Sequence, residues 1–270
     1  MFRRSWAAIC LLCVPLCPAA DSGRFRFAIF GDRTGGAIVG VFPQIVKEVR
    51  AANPDFAINV GDLIEGNHDD RAAAEWAALR PEFAPLTGIP FYHVAGNHDI
   101  WSDASRALFE RHTGRPATYS FDHGQAHFTV LDNSGSFQLP GDQLAFLERD
   151  LQAHAAAKLK FVLFHQPSWL VPVALGNSEY ALHKLALRYK VSAVISGHVH
   201  QYKRMELDGI VYVMAPSSGG HMHGSGNSQE GHWSDGWFLG WMEIVVDGLG
   251  WRLRVHEAGP PHGRSRLLEP

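Results

Sequence analysis

The sequence predicts an α/β fold built as one domain. Short apolar runs bounded by turn residues alternate along the chain with stretches of helical period. With 270 residues, 46% hydrophobic and 19% charged, the chain can bury about three quarters of its unfolded surface, which excludes disorder. No internal repeat or interdomain linker interrupts the pattern.

The N-terminus is expected to be a removable leader. Arg3 and Arg4 precede an apolar stretch over residues 6–16, and Cys17-Pro18-Ala19-Ala20 precedes the polar Asp21-Ser22-Gly23. This order fits a secretory signal over residues 1–20, whereas a membrane-spanning helix needs about 20 apolar residues. Export to the periplasm or the medium follows, with lipid attachment at Cys17 as the less favoured alternative because Val14-Pro15-Leu16 is a poor context for it. Cys10, Cys13 and Cys17 are the only cysteines, so the mature chain has no thiol for a disulfide, a thiolate metal site or a nucleophile. Loss of Arg3 and Arg4 leaves 22 basic residues against 27 acidic ones, a net charge of −5 that disfavours binding to a nucleic-acid duplex.

Within the expected domain, residues 21–258, the elements follow in order. Residues 24–30 read as a strand ending at Gly31-Asp32. Residues 42–52 form an amphipathic helix with Phe42, Ile45, Val46 and Val49 on one face, stopped by Asn53-Pro54. Residues 56–60 are a buried strand ending at Gly61-Asp62, and the alanine-rich residues 69–79 are helical by propensity, closed by Pro81. Residues 91–95 form a third strand that runs into Gly96-Asn97-His98-Asp99. A helix over 104–112 precedes an antiparallel pair, 118–122 and 127–132, turned at His123-Gly124. A long helix over 143–157 leads to a strand over 160–164 ending at His165. A helix over 179–189 then leads to a strand over 192–195 ending at Gly197-His198. Further strands are expected at 202–207, 211–214, 238–246 and 252–256, with Asp208-Gly209 and Asp247-Gly248 as hairpin signals. A glycine-, serine- and histidine-rich loop fills 216–236, and residues 259–270 read as a flexible tail.

Five apolar strands in succession thus end on a metal-type or acid–base residue: Asp32, Asp62, Asn97-His98-Asp99, His165 and His198-x-His200. In open α/β sheets, ligands bind at the carboxyl ends of strands. One aspartate after a strand is ordinarily a turn or cap residue, but turns alone do not require five such ends in a row. Carboxylate, amide and imidazole donors without thiolate suit Mn, Fe, Zn or similar divalent ions. Two such ions clamp the attacking and leaving oxygens of an in-line displacement, and phosphoryl esters are the natural substrates of such a centre.

The blocks Gly31-Asp32, Gly61-Asp62, Gly96-Asn97-His98-Asp99, His165-x-Pro167 and Gly197-His198-x-His200 resemble, in order, those of the calcineurin-like metallophosphoesterases. The resemblance implies a four-layer αββα sandwich of two mixed β-sheets with a dinuclear metal site at the carboxyl ends of the strands. It makes Asp62 the bridging ligand, with Asp32 and His200 on one ion and Asn97, His165 and His198 on the other. It implies that His98 is a general acid or a charge on the phosphate, that Asp99 holds its ring, and that a metal-bridging hydroxide is the nucleophile.

The sequence departs from the family pattern at Asp32-Arg33-Thr34, where the family usually has D-x-H. Purple acid phosphatases also lack that histidine and use a tyrosine three residues after the bridging aspartate, where this chain has Glu65. Three completions stay open: Glu65 as a carboxylate ligand favouring a harder ion, a water in the vacant place, or a first ion that is weakly held. Arg33 offers a fork for phosphate or is a plain surface arginine. Trp101 offers a stacking face or is packing, and the loop bearing His221 and His223, with His232 and Trp233, offers a lid or incidental histidines. The remaining histidines, including His68, His93, His112, His127 and His154, are read as structural. The expected protein is an exported hydrolase of a small phosphorylated substrate, monoester or diester. The alternatives are a non-catalytic metal- or phosphate-binding protein with a degraded first site, or a metal-dependent hydrolase of another ester or amide.

Overall fold

A computed structural model describes residues 23–222 and 235–258, and the backbone of 266–268. The leader expected over 1–20 with Cys17, and His223, His232 and Trp233, lie outside the described residues.

Strand β1 (Arg24–Phe30) alternates so that Phe25, Phe27 and Ile29 face one side and Ala28 and Phe30 the other. It pairs in parallel with β2 (Phe56–Asn59), which pairs in parallel with β3 (Phe91–His93). On its other edge β1 meets β10 (Gly240–Asp247), then β11 (Gly250–Glu257) and β12 (Arg266–Leu268), all antiparallel. The second sheet holds β4 (Tyr119–His123), β5 (Ala126–Val130), β6 (Leu159–Leu163), β7 (Ala193–Ser196), β8 (Lys203–Leu207) and β9 (Ile210–Met214). Its order is β4-β5-β6-β7-β9-β8, with β5, β6, β7 and β9 parallel and both edges antiparallel. Both sheets are therefore mixed, with six strands each among the described residues.

The sheets face each other across an aromatic core. Phe27 stacks on Phe56 with ring centroids 4.9 Å apart and meets Phe128 and Phe161 of the opposite sheet edge-on at 5.2 and 5.5 Å. Outside the first sheet, α1 (Val41–Ala52), α2 (Asp69–Leu79) and α3 (Asp103–Thr113) bury Phe42, Ile45, Trp76 and Phe109 against it. Outside the second, α4 (Gly141–Ala153), α5 (Leu170–Ala174) and α6 (Ala181–Tyr189) bury Leu147, Leu151, Val173 and Leu182. The four layers are those of an αββα sandwich.

Several boundaries differ from expectation for local reasons. Pro81 does not end helical structure: a 3-10 helix, Arg80–Leu86, continues from α2, and Pro81 sits in its first positions, where a missing N–H costs nothing. Helix α4 stops at Ala153, with His154 as its C-cap. Helix α5 contains Pro172 and is too short to show a period. Strand β12 pairs with β11 from within the stretch expected as a tail. Among the described residues no helix is long and apolar enough to cross a membrane.

Candidate metal centre

Parallel strands that neighbour one another end on the same edge, so β1, β2 and β3 deliver their following loops together, as do β6 and β7. Asp32, Asp62, Asn97, His165, His198 and His200 meet there. Two groups of donors form, Asp62 with His165 and His198, and Asp32 with Asp62 and His200, each with ligand atoms within 4.8 Å of one another. Asp62 belongs to both.

The backbone pays for this convergence in strain. Asp32, Asp62, His198 and His200 all have positive φ, at 51°, 58°, 76° and 62°. A non-glycine residue held there costs on the order of 1–3 kcal/mol and persists only where its surroundings over-determine it. Here they do. The N–H of His198 donates to Asp32 Oδ1 at 2.8 Å, and the N–H of His98 donates to Asp62 Oδ1 at 2.9 Å. Each carboxylate is thereby pinned through one oxygen. Glycines make the approach possible, since a Cβ at Gly96 would overlap the Asp62 carboxylate and one at Gly197 would overlap that of Asp32.

The imidazoles are fixed by the same device. His165 donates from Nδ1 to the carbonyl of Val60 at 2.8 Å, and His200 from Nδ1 to that of His221 at 2.6 Å. A carbonyl only accepts, so Nδ1 carries the proton in both rings and Nε2 faces the cluster. His165 Nε2 lies 3.1 Å from Asp62 Oδ2, 3.1 Å from Asn97 Oδ1 and 3.3 Å from His198 Nδ1. His200 Nε2 lies 3.8 Å from Asp32 Oδ1.

Charges in this buried cluster reshape one another. Burial pushes the His165 pKa down, but Asp62 and then Asp32 outweigh it and lift it to about 9. Burial pushes Asp62 up, and His165 brings it to about 2. Burial and the charge of His165 depress His198 to about 4. In Asp32, burial outweighs His200 and His165, and its carboxyl is raised. Asp32 Oδ2 is buried with no hydrogen-bond partner, an expensive state for a carboxylate oxygen that a cation would relieve. The donors therefore fit divalent ions: Asp62, His165 and His198, with Asn97 Oδ1 beside them, would hold one, and Asp32, Asp62 and His200 would hold the other.

Other sequence readings resolve at this edge. Asp99 does not hold the His98 ring. Its buried carboxylate accepts the N–H groups of Asp62, Leu63 and Gly96 at 2.8, 2.9 and 2.9 Å, all of its near partners being backbone donors. His98 lies in neither donor group, and its Nδ1 instead meets the Glu65 carbonyl at 2.6 Å. The Glu65 side chain is also outside both groups. It accepts the N–H of Ala37 at 3.2 Å and of Gly36 at 3.5 Å, capping the loop after β1. Thr34 is fully buried where the family pattern places an imidazole, and its side chain turns to the Glu65 carboxylate, which, against burial, it helps to hold below the usual carboxylate range.

Arg33 grips Glu82 of the 3-10 helix with Nε at 3.2 Å and Nη2 at 2.8 Å, which fastens that helix to the loop instead of offering a fork to phosphate. Trp101 lines a cavity of about 580 Å³ together with Arg106, Asp132, Asn133 and Ser134. Sequence reasoning missed Asn133, whose Oδ1 accepts the N–H groups of His165 and Gln166 at 3.1 Å each. Its place at the end of β5 was the available signal. His112 stacks on Trp76 at 5.3 Å and His93 packs against Phe91 at 4.2 Å, whereas His68 is exposed and His127 and His154 form with Asp122 a third group of donors close enough together to hold a cation.

Comparison with known proteins agrees with this geometry. The model of the calcineurin-like phosphoesterase family matches residues 25–202. The chain is 31% identical over 228 residues to purple acid phosphatase 23 of Arabidopsis thaliana, covering 70% of this chain and 49% of that protein, so it spans about half the length of that relative. It is 26% identical over 192 residues to the 3',5'-cyclic adenosine monophosphate phosphodiesterase CpdA of Haemophilus influenzae, covering 66% of each. Among solved structures, purple acid phosphatase PPD1 from yellow lupin seeds superposes with a TM-score of 0.64 at 17% identity, over 92% of this chain and 54% of that one, a likeness of fold. The chain belongs to the calcineurin-like phosphoesterase family.

Proposed function

We propose that the protein is an exported, metal-dependent phosphoesterase that hydrolyses a small phosphomonoester or phosphodiester. The observation that carries this reading is the sharing of Asp62 between two donor groups at one edge of the sandwich. Two divalent ions bound there would supply Lewis acidity and a water of lowered pKa. Manganese, iron and zinc suit the donors, which are oxygen and imidazole alone.

The chain's own residues divide the remaining work. Asp32, Asp62, Asn97, His165, His198 and His200 hold the ions in fixed places, their orientations set by the backbone bonds described above. His98 stands beside the cluster on its own tether: as the imidazolium it keeps Nδ1–H on the Glu65 carbonyl, gives the proton on Nε2 to the leaving oxygen and is left as the neutral Nδ1–H ring. Asp99 keeps the loops that carry Asp62 and His98 in register. Export rests on the order of charged, apolar and small residues within 1–20.

Thr34 gives a second reading some ground: a scaffold with a degraded first site that binds metal or a phosphorylated ligand without turnover. The presence of His98 in working orientation favours the enzyme. The test strips metal with chelator and assays an aryl phosphomonoester and a bis-aryl phosphodiester as Mn, Zn, Fe, Mg or Ca is returned, counting bound metal in parallel. Turnover that tracks metal content is expected. Folded protein that takes up metal and turns over neither ester with any ion would replace the enzyme reading with the binding one. His98→Ala is expected to keep its metal and lose about 100-fold in rate on an ester with a poor leaving group.

A further inference from the structure

We propose that Glu75, on the outer helix α2, positions His98 for proton donation through the single peptide unit between Glu65 and Gly66. The carbonyl of Glu65 meets His98 Nδ1 at 2.6 Å, and the N–H of Gly66 donates to Glu75 Oε2 at 2.8 Å. Those two groups belong to one planar peptide. A carboxylate on its N–H side and an imidazole on its C=O side therefore form a continuous line of hydrogen bonds from α2 to the ring.

The carbonyl only accepts, so Nδ1–H of His98 is the donor to it, and the second proton of the imidazolium, on Nε2, is the one given to a leaving oxygen. The other close neighbour of Nδ1, Asn67 Nδ2, stands at 3.5 Å, and the much shorter contact to the carbonyl sets the donor. A carboxylate acceptor makes the Gly66 bond charge-assisted, and polarisation of the amide strengthens the bond its carbonyl accepts.

Local structure is built around this unit. Gly66 has φ of 65°, and a Cβ there would overlap the His98 carbonyl and lie 2.8 Å from the Trp101 ring. Asn67 follows with φ of 61°. Two consecutive residues in the left-handed region turn the peptide so that its carbonyl faces His98 and its N–H faces α2. From the other side, the Glu65 carboxylate is tied to the N–H groups of Gly36 and Ala37. The segment is thus anchored to two loops and a helix, although it lies in neither group of candidate ligands. Glu75 supplies through a peptide the restraint on His98 that Asp99, occupied by backbone N–H groups, does not.

The inference rests on the reading of His98 as proton donor, and its test separates the two. Glu75→Ala, Glu75→Gln, His98→Ala and the double variant Glu75→Ala/His98→Ala are compared on an alkyl phosphoester, whose leaving group needs a proton, and an aryl one, which needs it less. Glu75→Ala is expected to lower alkyl-ester turnover about 10-fold and aryl-ester turnover less than about 2-fold at unchanged bound metal. Glu75→Gln, which keeps an acceptor oxygen, recovers most of the loss. In the His98→Ala background Glu75→Ala adds nothing, because the effect runs through that ring.

Equal losses on both esters, or a further loss in the His98→Ala background, would overturn the proposal. In parallel, long-range proton–nitrogen spectra of the zinc-loaded protein report which ring nitrogen of His98 carries hydrogen. At a pH where the ring is neutral, the state left once its proton has been given up, the wild type and Glu75→Gln should show Nδ1–H, and Glu75→Ala a shift toward Nε2–H or averaging. An unchanged His98 signal in Glu75→Ala overturns the positioning role even if no ester is turned over, whereas the expected spectra without turnover would uphold it and remove the enzyme reading alone.

Discussion

The carboxylate of Asp99 accepts the backbone N–H of Asp62 at 2.8 Å, so the last residue of the Gly-Asn-His-Asp block fastens the loop that carries the shared metal-type aspartate. With Leu63 and Gly96 also donating to it, one buried side chain satisfies three backbone N–H groups in two loops. Asp99→Asn would aim an amide N–H₂ at groups that can only donate. The expected result is a loss of about 2–3 kcal/mol in stability and of at least about 10-fold in metal affinity, read by thermal denaturation and metal titration. Leaving-group dependence should stay as in the wild type. A variant that kept its metal and selectively lost turnover of poor leaving groups would return Asp99 to the role of ring holder.

Loading the centre should release protons. In the metal-free protein Asp62 holds the His165 pKa at about 9, so the ring is protonated at neutral pH and must lose that proton before Nε2 can bind a cation. Apparent affinity at the place formed by Asp62, Asn97, His165 and His198 is therefore expected to rise about 10-fold per pH unit between pH 7 and 8, with about one proton released per ion, and to level off above about pH 9. Calorimetry in buffers of different ionisation enthalpy measures the release. Affinity independent of pH over that range would show that the His165 ring is already neutral.

Thr34 is buried two residues after Asp32, and among the described residues no imidazole other than His200 belongs to the donor group of Asp32 and Asp62. Thr34→His is expected to tighten one of two ions at least about 10-fold, seen as a second equivalent of metal retained through graded chelation. Retention identical to the wild type would mean that the position does not reach the ion.

Away from the centre, His127 joins two carboxylates, with Nδ1 at 2.7 Å from Asp122 and Nε2 at 2.9 Å from Asp150. Burial lowers its pKa, yet its bonds to Asp150 and Asp122 leave it raised, while Asp150, raised by burial, is lowered overall by His127, Thr129 and Ser120. A raised histidine contributes stability that is full below its unfolded value of 6.5 and is lost as pH climbs through the folded value. A lowered aspartate contributes stability above 3.8 that is lost as pH falls through its folded value. Both contributions coexist between those limits. His127→Gln should therefore cost the most, about 3 kcal/mol, near pH 5, and less as pH climbs from 6.5 through the raised folded value, measured as the difference in unfolding free energy between variant and wild type. A cost that stayed flat from pH 5 to 9 would assign the effect to packing.

Periodicity located most strands to within a residue or two, because inward and outward positions alternate in β1 and nearly every residue of β2, β6 and β7 is buried. It failed where hydrophobic pattern carries no information, as at Pro81 and in the five residues of α5, whose fates depend on neighbours distant in sequence.

The sequence by itself determined the donor inventory: no thiol after Cys17, and a carboxylate, amide or imidazole after each of five strands. Strand direction then gathered the donors of β1, β2 and β3 at one end of the first sheet and those of β6 and β7 at one end of the second, since parallel neighbours share their carboxyl ends, and sheet packing joined the two. Which atoms do what was decided only in the tertiary structure. Asp99 and His98 are adjacent in sequence, yet one accepts N–H groups from a loop 36 and 37 residues away and the other is tied to Glu65, 33 residues away. Hydrogen bonds are short and directional, so the partner of a side chain is set by the fold that brings loops within about 3 Å of it. Residue type names a chemistry, and the packing of two sheets chooses its target.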